Sequence, residues 1–421
     1  MEKSKDIIIV GGGFGGLQFA QKLNKSAYRV LLIDRLNYHQ FQPLFYQVAS
    51  ARLEPSSISF PFRKIFQRSP NTDFHLADVI SVNPAKSLLV TSIGDFHYDF
   101  LVIATGCSTN YFGNKEIMKK TLAMKTTMEA LEIRNTILLN FESLISAKTE
   151  EREALLNLVI VGAGPTGVEL AGAFAEMRNT ILPKDYPDTD FGKLKIILLD
   201  GSPNTLNTMS NKAKIASMKY LIQLGVNVLT NVFVTGYDGN ILTLNNGEKL
   251  KSRNVIWAAG VIGNLLDGID SKAITRTNRY ITDRFNKIKG YENIFAIGDV
   301  AYMETPLYPA GHPQVANVAI NQGKNLAGNL KALLKGKPMK EYEYKDLGSM
   351  ATIGKYRAVV DLPYISFSGY IAWLIWMFLH LMLILSVRNK VMIFINWAWF
   401  YLTKDTSLRI IFRSVKDKEN L

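Results

Sequence analysis

The clearest chemistry in this 421-residue chain lies in glycines placed to hold phosphate. Ile7-Ile8-Ile9-Val10 runs into Gly11-Gly12-Gly13-Phe14-Gly15-Gly16, and Leu158-Val159-Ile160-Val161 runs into Gly162-Ala163-Gly164-Pro165-Thr166-Gly167. Each is an apolar, β-rich stretch entering G-x-G-x-x-G at a helix start. In that pattern the first glycine permits a tight turn and the second admits a pyrophosphate against the backbone. The third lets helix and strand pack closely. Free N–H groups and the helix dipole then face the phosphates. Two such motifs on one chain predict two dinucleotides, one handing electrons to the other.

An acid closes the strand that follows each motif. Tyr28-Arg29-Val30-Leu31-Leu32-Ile33 ends at Asp34, 23 residues after Gly11, near the spacing of a ribose-hydroxyl ligand. Lys195-Ile196-Ile197-Leu198-Leu199 ends at Asp200, 38 residues after Gly162. The segment Leu182–Lys193 accounts for this excess if it forms a helix extension and loop.

These residues need elements to position them. The pattern predicts helices over about 14–25 and 165–181 and a helical stretch over 121–156. Short strands and turns fill 58–99, and a third parallel strand leads to Ala104-Thr105-Gly106. Residues 226–250 read as a hairpin with turn signals at Asp238-Gly239-Asn240 and Asn245-Asn246-Gly247. Asn254-Val255-Ile256-Trp257 runs into Ala258-Ala259-Gly260. Another strand ends at Gly298-Asp299, followed by a helix from near Gln314. The second repeat already has its strands, so this last piece returns to the first. The expected fold is α/β: two nested Rossmann-like dinucleotide-binding domains plus a C-terminal helical membrane anchor. The first domain takes 1–118 and 285–345, the inserted one 119–284, and the anchor 346–421.

Composition narrows the alternatives. Hydrophobic residues make up 48% and charged residues 20%, which is globular rather than disordered. The net charge of +13 favours anionic partners. No nucleic-acid motif or long basic run accompanies it, so an anionic lipid surface is the expected partner. The single Cys107 rules out an intrachain disulfide, a C-x-x-C pair and a cysteine zinc cluster. With five scattered histidines no metal site is evident. Cys107 reads as a packed small side chain. No signal peptide precedes the first strand, so the body is expected in the cytoplasm.

The tail differs from the body. Ile371–Val387 reads IAWLIWMFLHLMLILSV, and Arg388-Asn389-Lys390 separates it from the apolar stretch Val391–Leu402. The run is short for a membrane span. A buried helix pair, a span and a helix lying in the membrane interface are all open. The four tryptophans Trp373, Trp376, Trp397 and Trp399 suit a polar–apolar boundary. Seven Lys/Arg against three Asp/Glu between 388 and 421 suit anionic headgroups. The expectation is a monotopic anchor on the cytoplasmic face of the cell membrane.

The chain resembles the type II NADH:quinone oxidoreductases along essentially its whole length. The segment Asp34-Arg35-Leu36-Asn37-Tyr38-His39-Gln40-Phe41-Gln42-Pro43-Leu44-Phe45-Tyr46-Gln47-Val48-Ala49 is similar to that family's D-x-x-N-Y-H-x-F-x-P-L-L-Y-Q-V-A. Gly167-Val168-Glu169-Leu170-Ala171-Gly172, Ala258-Ala259-Gly260, Ala296-Ile297-Gly298-Asp299 and Met350-Ala351-Thr352-Ile353-Gly354 resemble its other blocks.

The resemblance implies FAD, tightly but non-covalently held, at Gly11, Gly13, Phe14, Gly16, Asp34, Gln47, Thr105, Gly106, Gly298, Asp299 and Ala316. Asp299 is expected at a helix N-terminus, where its bland role is an N-cap. NADH is implied at Gly162, Gly164, Gly167, Glu169, Asp200, Ala259 and Gly260. Asp200 disfavours a 2′-phosphate, and Gly201-Ser202-Pro203-Asn204 supply no arginine, so NADH is expected over NADPH. Glu169 is placed in the first helical turn, either as a nicotinamide-side contact or as a carboxylate in the dipole field.

The family's A-Q-x-A-x-Q beside the quinone is here Ala316-Asn317-Val318-Ala319-Ile320-Asn321, so both glutamines become asparagines. Asn317 and Asn321 are the expected quinone contacts, and Gln314 and Gln322 flank them on other faces of the helix. Hydride transfer needs nicotinamide C4 close to flavin N5 with water excluded, so no protein acid or base is named for it. The tail carries no charged path for proton pumping. A homodimer docked on the membrane is implied. Two other readings are a diaphorase using a soluble acceptor and a non-catalytic flavin-binding redox sensor. Disulfide reduction and sulfide oxidation commonly use a cysteine pair, which is missing.

Overall fold

The computed structural model describes residues 5–406 and 408–412; the start of the chain and much of the basic C-terminal end lie outside these described residues. Contacts divide the chain into two compact units. The first gathers Met1–Gln40, Phe60–Ser108 and Val261–Asp346. The second gathers Phe41–Ser59, Thr109–Gly260 and Leu347–Leu421. The return to the first unit thus begins at Val261 rather than 285, and both Phe41–Ser59 and the tail group with the second.

In the first unit five parallel strands lie in the order Ile294–Ala296, Phe100–Ile103, Asp6–Val10, Arg29–Asp34, Thr72–Leu76. Ile9 pairs with Leu32 on one side and Val102 on the other. Alternation along each strand sorts the side chains. Ile7, Ile9, Leu32 and Val102 join one apolar cluster with Leu17, Phe19 and Leu326. Ile8, Val10, Ile33 and Ile103 join another with Leu89, Tyr98 and Tyr280. A strand buried on both faces needs an unbroken apolar run, which is what the sequence carries. The helices Phe14–Leu23 and Ala316–Leu333 pack so closely that a Cβ on Gly323 would sit 2.5 Å from the Gly15 carbonyl oxygen.

In the second unit four parallel strands lie in the order Val226–Thr230, Lys195–Asp200, Asn157–Val161, Asn254–Trp257. Val226–Thr230 was expected in a hairpin. It joins the parallel sheet instead, and the antiparallel meander is Val234–Tyr237, Ile241–Leu244 and Lys249–Lys251. The expected helical stretch 121–156 is broken into Thr127–Ser143 and Thr149–Leu156. A capping box fixes the first start: the Thr126 hydroxyl accepts from the Glu129 N–H, and the Glu129 carboxylate accepts from the Thr126 N–H. Leu182–Asp185 continues the helix Pro165–Thr180 as a short turn of helix, supplying the extra length before Asp200.

The tail forms three antiparallel strands, Ser349–Thr352, Ala358–Asp361 and Ser366–Gly369, then the helices Tyr370–Leu383 and Val387–Thr403. Among the described residues no helix is long and apolar enough to cross a membrane. Three of the four tail tryptophans, Trp373, Trp376 and Trp397, are buried in the unit; only Trp399 is exposed. They pack as core, so the boundary role expected of all four remains open only to Trp399. The opposite faces leave Ile371, Leu374, Ile375, Phe378, Met382, Val391, Phe394, Ile395 and Leu402 exposed.

Candidate functional site

The two glycine motifs have matching geometry. Gly11 has φ +102° and Gly162 φ +104°, a left-handed turn that a side chain resists. A Cβ on Gly16 would collide with the Gly11 carbonyl, and one on Gly167 with the Gly162 carbonyl. By contrast, a Cβ on Gly13 or Gly164 would meet nothing within 4 Å. The middle glycine of each motif therefore faces open space, and the outer two are required by packing. Gly13 and Gly164 precede helices whose N-termini carry no side-chain cap, whereas Thr126 and Ser210 cap neighbouring helices. The uncapped N–H groups are left to a ligand, and the residues fit a pyrophosphate.

Asp34 and Asp200 repeat each other as well. One Asp34 oxygen accepts from Gly12 N at 2.6 Å and the other from Leu36 N at 2.8 Å. One Asp200 oxygen accepts from Ala163 N at 2.6 Å and the other from Ser202 N at 2.6 Å. A carboxylate has about four acceptor positions, so each acid braces its loop and keeps capacity for a ribose hydroxyl. Burial raises the Asp34 carboxyl above its usual range, and the Gly12 and Leu36 N–H groups oppose that rise. The Gly12 carbonyl is held by His39 Nδ1 at 2.9 Å, and the His39 ring stands edge-on to Phe14 at 5.2 Å. Sequence reasoning gave His39 no role; its signal was its place in the segment after Asp34.

The other first-unit candidates cluster around two turns. Thr105 Oγ1 donates to the Asn264 carbonyl at 2.6 Å, and Asn264 N donates to the Gly106 carbonyl at 3.0 Å. Asp299 lies in the short 3-10 turn Gly298–Val300, and the following helix begins only at Ala316. Asp299 is therefore not that helix's N-cap; its Oδ2 accepts from Cys107 Sγ at 2.9 Å. Gln314 and Gln322 clasp the same turn. Gln322 Oε1 accepts from Gly298 N at 2.7 Å, and Gln314 Nε2 donates to the Asp299 carbonyl at 2.9 Å. Gln322 Nε2 is buried with no partner among the described residues, an orphaned donor beside the turn. Asn317 and Asn321 are both half-buried on the helix that starts, without a side-chain cap, at Ala316.

In the second unit Gly162, Asp200, Ala259 and Gly260 line one cleft of about 670 Å³. Glu169 is elsewhere. Its helix begins at Pro165, so it stands in the second turn rather than the first, away from the dipole end. It is buried, accepts from Thr352 N at 3.3 Å, and desolvation pushes its carboxyl up to about 8. Gln47 belongs to this unit too. Its Nε2 donates to the Tyr46 hydroxyl at 2.9 Å and its Oε1 accepts from Trp397 Nε1 at 2.7 Å. The Tyr46 hydroxyl meets Thr352 Oγ1 at 2.9 Å. Sequence reasoning named Tyr46, Thr352 and Trp397 but not these contacts, because Tyr46–Thr352 and Gln47–Trp397 are pairs remote in sequence.

Known proteins match this arrangement. Residues 5–323 match the pyridine nucleotide-disulphide oxidoreductase model and 347–413 the NDH2 C-terminal domain model. Type II NADH:quinone oxidoreductase Ndh of Mycobacterium tuberculosis is 34% identical over 417 residues, covering 94% of this chain and 88% of that protein. External NADH-ubiquinone oxidoreductase 2, mitochondrial, of Saccharomyces cerevisiae is 28% identical, covering 96% of this chain and 83% of that one. The solved structure of NDH2 from Plasmodium falciparum in complex with NADH shares the fold, with a TM-score of 0.89 at 22% identity over 98% of this chain and 100% of that one. The chain belongs to the type II NADH:quinone oxidoreductase family.

Proposed function

We propose that this chain is an FAD-dependent NADH:quinone oxidoreductase that passes a hydride from NADH to FAD and two electrons onward to a membrane quinone, without pumping protons. The observation that carries this reading is the doubled cradle: two open middle glycines, each beside an acid that braces its own loop. When bound, FAD supplies the hydride-accepting and electron-donating chemistry.

Gly11, Gly13 and Gly16 bind the FAD pyrophosphate without covalent attachment, and Asp34 accepts from its adenosine ribose. Phe14, Gln47, Thr105, Gly106, Gly298, Asp299 and Ala316 complete the FAD contacts, with Gln322 positioning the Gly298 turn. Gly162, Gly164 and Gly167 take the NADH pyrophosphate, with Ala259 and Gly260 along the cleft. Asp200 accepts from the 2′-hydroxyl and repels a 2′-phosphate. Glu169 lies toward the nicotinamide side. Asn317 and Asn321 orient the quinone.

The exposed apolar faces of Tyr370–Leu383 and Val387–Thr403 dock monotopically on the cytoplasmic face of an anionic membrane, as a homodimer. The sequence beyond residue 412 adds positive charge that favours the same surface. One observation favours a second reading, a diaphorase with a soluble acceptor: Asn317 and Asn321 are shorter than the glutamines of the family pattern.

Anaerobic rapid mixing of the flavin-loaded protein with NADH tests these readings. Loss of visible flavin absorbance, restored by a quinone analogue, is the expected result. Restoration by a soluble dye alone would replace the reading with the diaphorase, and flavin that NADH does not bleach would overturn both.

A further inference from the structure

The cleft beside Asp200 is flanked by two large, exposed rings. Phe233 is 55% exposed and its Cβ lies 3.9 Å from where a Cβ would stand on Gly201, the residue after Asp200. Phe112 is 71% exposed and its Cζ lies 3.3 Å from the equivalent point on Gly260, just beyond the strand Asn254–Trp257. The strands Lys195–Asp200 and Asn254–Trp257 lie on opposite sides of Asn157–Val161, so the rings rise from opposite flanks of one cleft.

Phe112 is also held in a backbone conformation that bulky residues avoid, with φ +51°. The neighbouring loop enforces it. Asn110 Oδ1 accepts from Phe112 N at 2.8 Å, Asn110 N donates to the Gly260 carbonyl at 3.2 Å, and the Asn110 carbonyl accepts from Trp257 Nε1 at 2.9 Å. An exposed ring on an over-determined left-handed residue lowers stability, and such outliers gather at ligand sites.

We infer that Phe112 and Phe233 form a stacking clamp for the adenine ring of NADH. This rests on the reading of Asp200 as the acceptor for the adenosine ribose. A ribose held at Asp200 carries its base into the space these rings flank, and a base has a flat π-face that aromatic side chains hold well. A Cβ on Gly260 would crowd the Phe112 ring, so glycine there leaves that ring room.

The test uses the full-length, flavin-loaded protein with Phe112→Asn, Phe233→Ser and the conservative Phe112→Tyr and Phe233→Tyr. Both side chains are exposed, and Asn tolerates the left-handed turn, so folding is not at issue. Two probes separate the halves of the substrate: reduced nicotinamide mononucleotide, which lacks the adenosine half, and ADP-ribose, which lacks the nicotinamide. Each ring-removing variant is expected to weaken ADP-ribose binding, measured by calorimetry, about tenfold. The kcat/KM advantage of NADH over the mononucleotide falls by a similar factor, and the tyrosine variants restore both.

ADP-ribose affinity within threefold of the parent in both ring-removing variants overturns the clamp. So does an equal loss of turnover with the two reduced substrates, which would place the rings at the nicotinamide. Asp200→Asn serves as the control. If it weakens ADP-ribose while the ring variants do not, the clamp alone fails; if it does not weaken ADP-ribose, the ribose assignment fails.

Discussion

Gln47 and Trp397 share a buried hydrogen bond of 2.7 Å although they stand 350 residues apart in the chain. The bond joins a short helix of the second unit to the last helix of the tail. Asn389 Nδ2 adds two more ties, to the Ser56 and Ser57 carbonyls at 3.0 and 2.8 Å, and Thr406 Oγ1 donates to the Ala51 carbonyl at 2.6 Å. The tail is therefore part of the core of its unit as well as the bearer of an exposed apolar face. Trp397→Phe keeps an aromatic ring, though a smaller one, and leaves Gln47 Oε1 buried without its donor. The expected loss is about 1–3 kcal/mol, read as a lower denaturation midpoint. Pairing it with Gln47→Leu should recover part of that loss in a double-mutant cycle. Removal of residues 370–421 is expected to abolish folding rather than release a soluble enzyme, since Trp373, Trp376 and Phe400 lie in that core. A folded, flavin-loaded truncation would contradict this.

On the proposed reading, Asp200 sets the nucleotide preference through charge. Asp200→Asn keeps an oxygen for the Ala163 or Ser202 N–H but removes the repulsion toward a 2′-phosphate and weakens the acceptor for a 2′-hydroxyl. The kcat/KM ratio of NADH to NADPH is expected to fall at least about tenfold. A ratio unchanged from the parent would take Asp200 off the ribose. The same substitution at Asp34 is expected to lower flavin retention instead, read as the flavin-to-protein ratio after purification.

What the sequence disclosed and what it concealed divide along a physical line. The glycine motifs were legible because their constraint is local: a positive φ at Gly11 and close backbone approach at Gly16 leave no other residue type. The strands were legible because burial on both faces forces an apolar run. Phe41–Ser59 was not legible as part of the second unit, because nothing local marks Gln47 as the partner of Trp397. The tail tryptophans were misplaced for the same reason: an indole suits a membrane boundary and a core equally, and only tertiary partners decide. Asp299 was misplaced because a Gly-Asp pair ahead of a helix looks like a cap, whereas Gly298–Val300 closes its own turn. The role of Phe112 depends on the left-handed turn at Phe112-Gly113, which composition alone does not specify.

His39 gives the structure an acid sensitivity. Its ring is 2% exposed, and desolvation lowers its pKa from 6.5 to about 4, against the pull of its bond to the Gly12 carbonyl. Between those values the unfolded chain binds a proton that the folded chain excludes. Stability from this group is therefore complete above about pH 6.5 and is lost as pH falls toward about 4, by about 3 kcal/mol at most. His39→Gln removes the titration. The parent is expected to lose more stability than the variant when denaturant melts are compared at pH 7.5 and pH 4.5. Parallel losses would assign the acid sensitivity to other groups.

Glu169 runs in the opposite sense. With its carboxyl raised to about 8, the folded chain holds a proton that the unfolded chain releases near the ordinary value of 4.5. Its favourable contribution is complete below about pH 4.5 and is lost as pH rises through about 8. At neutral pH the buried group is expected to hold its proton, with the Thr352 N–H donating to Oε1. Glu169→Gln is neutral at every pH and nearly the same shape. Its melting temperature is expected to match the parent at pH 5 and to exceed it at pH 9 by at least about 3 °C. A constant difference across that range would show that Glu169 is already ionised in the folded chain. The buried carboxyl would then need a cationic or hydrogen-bonding partner beyond Thr352.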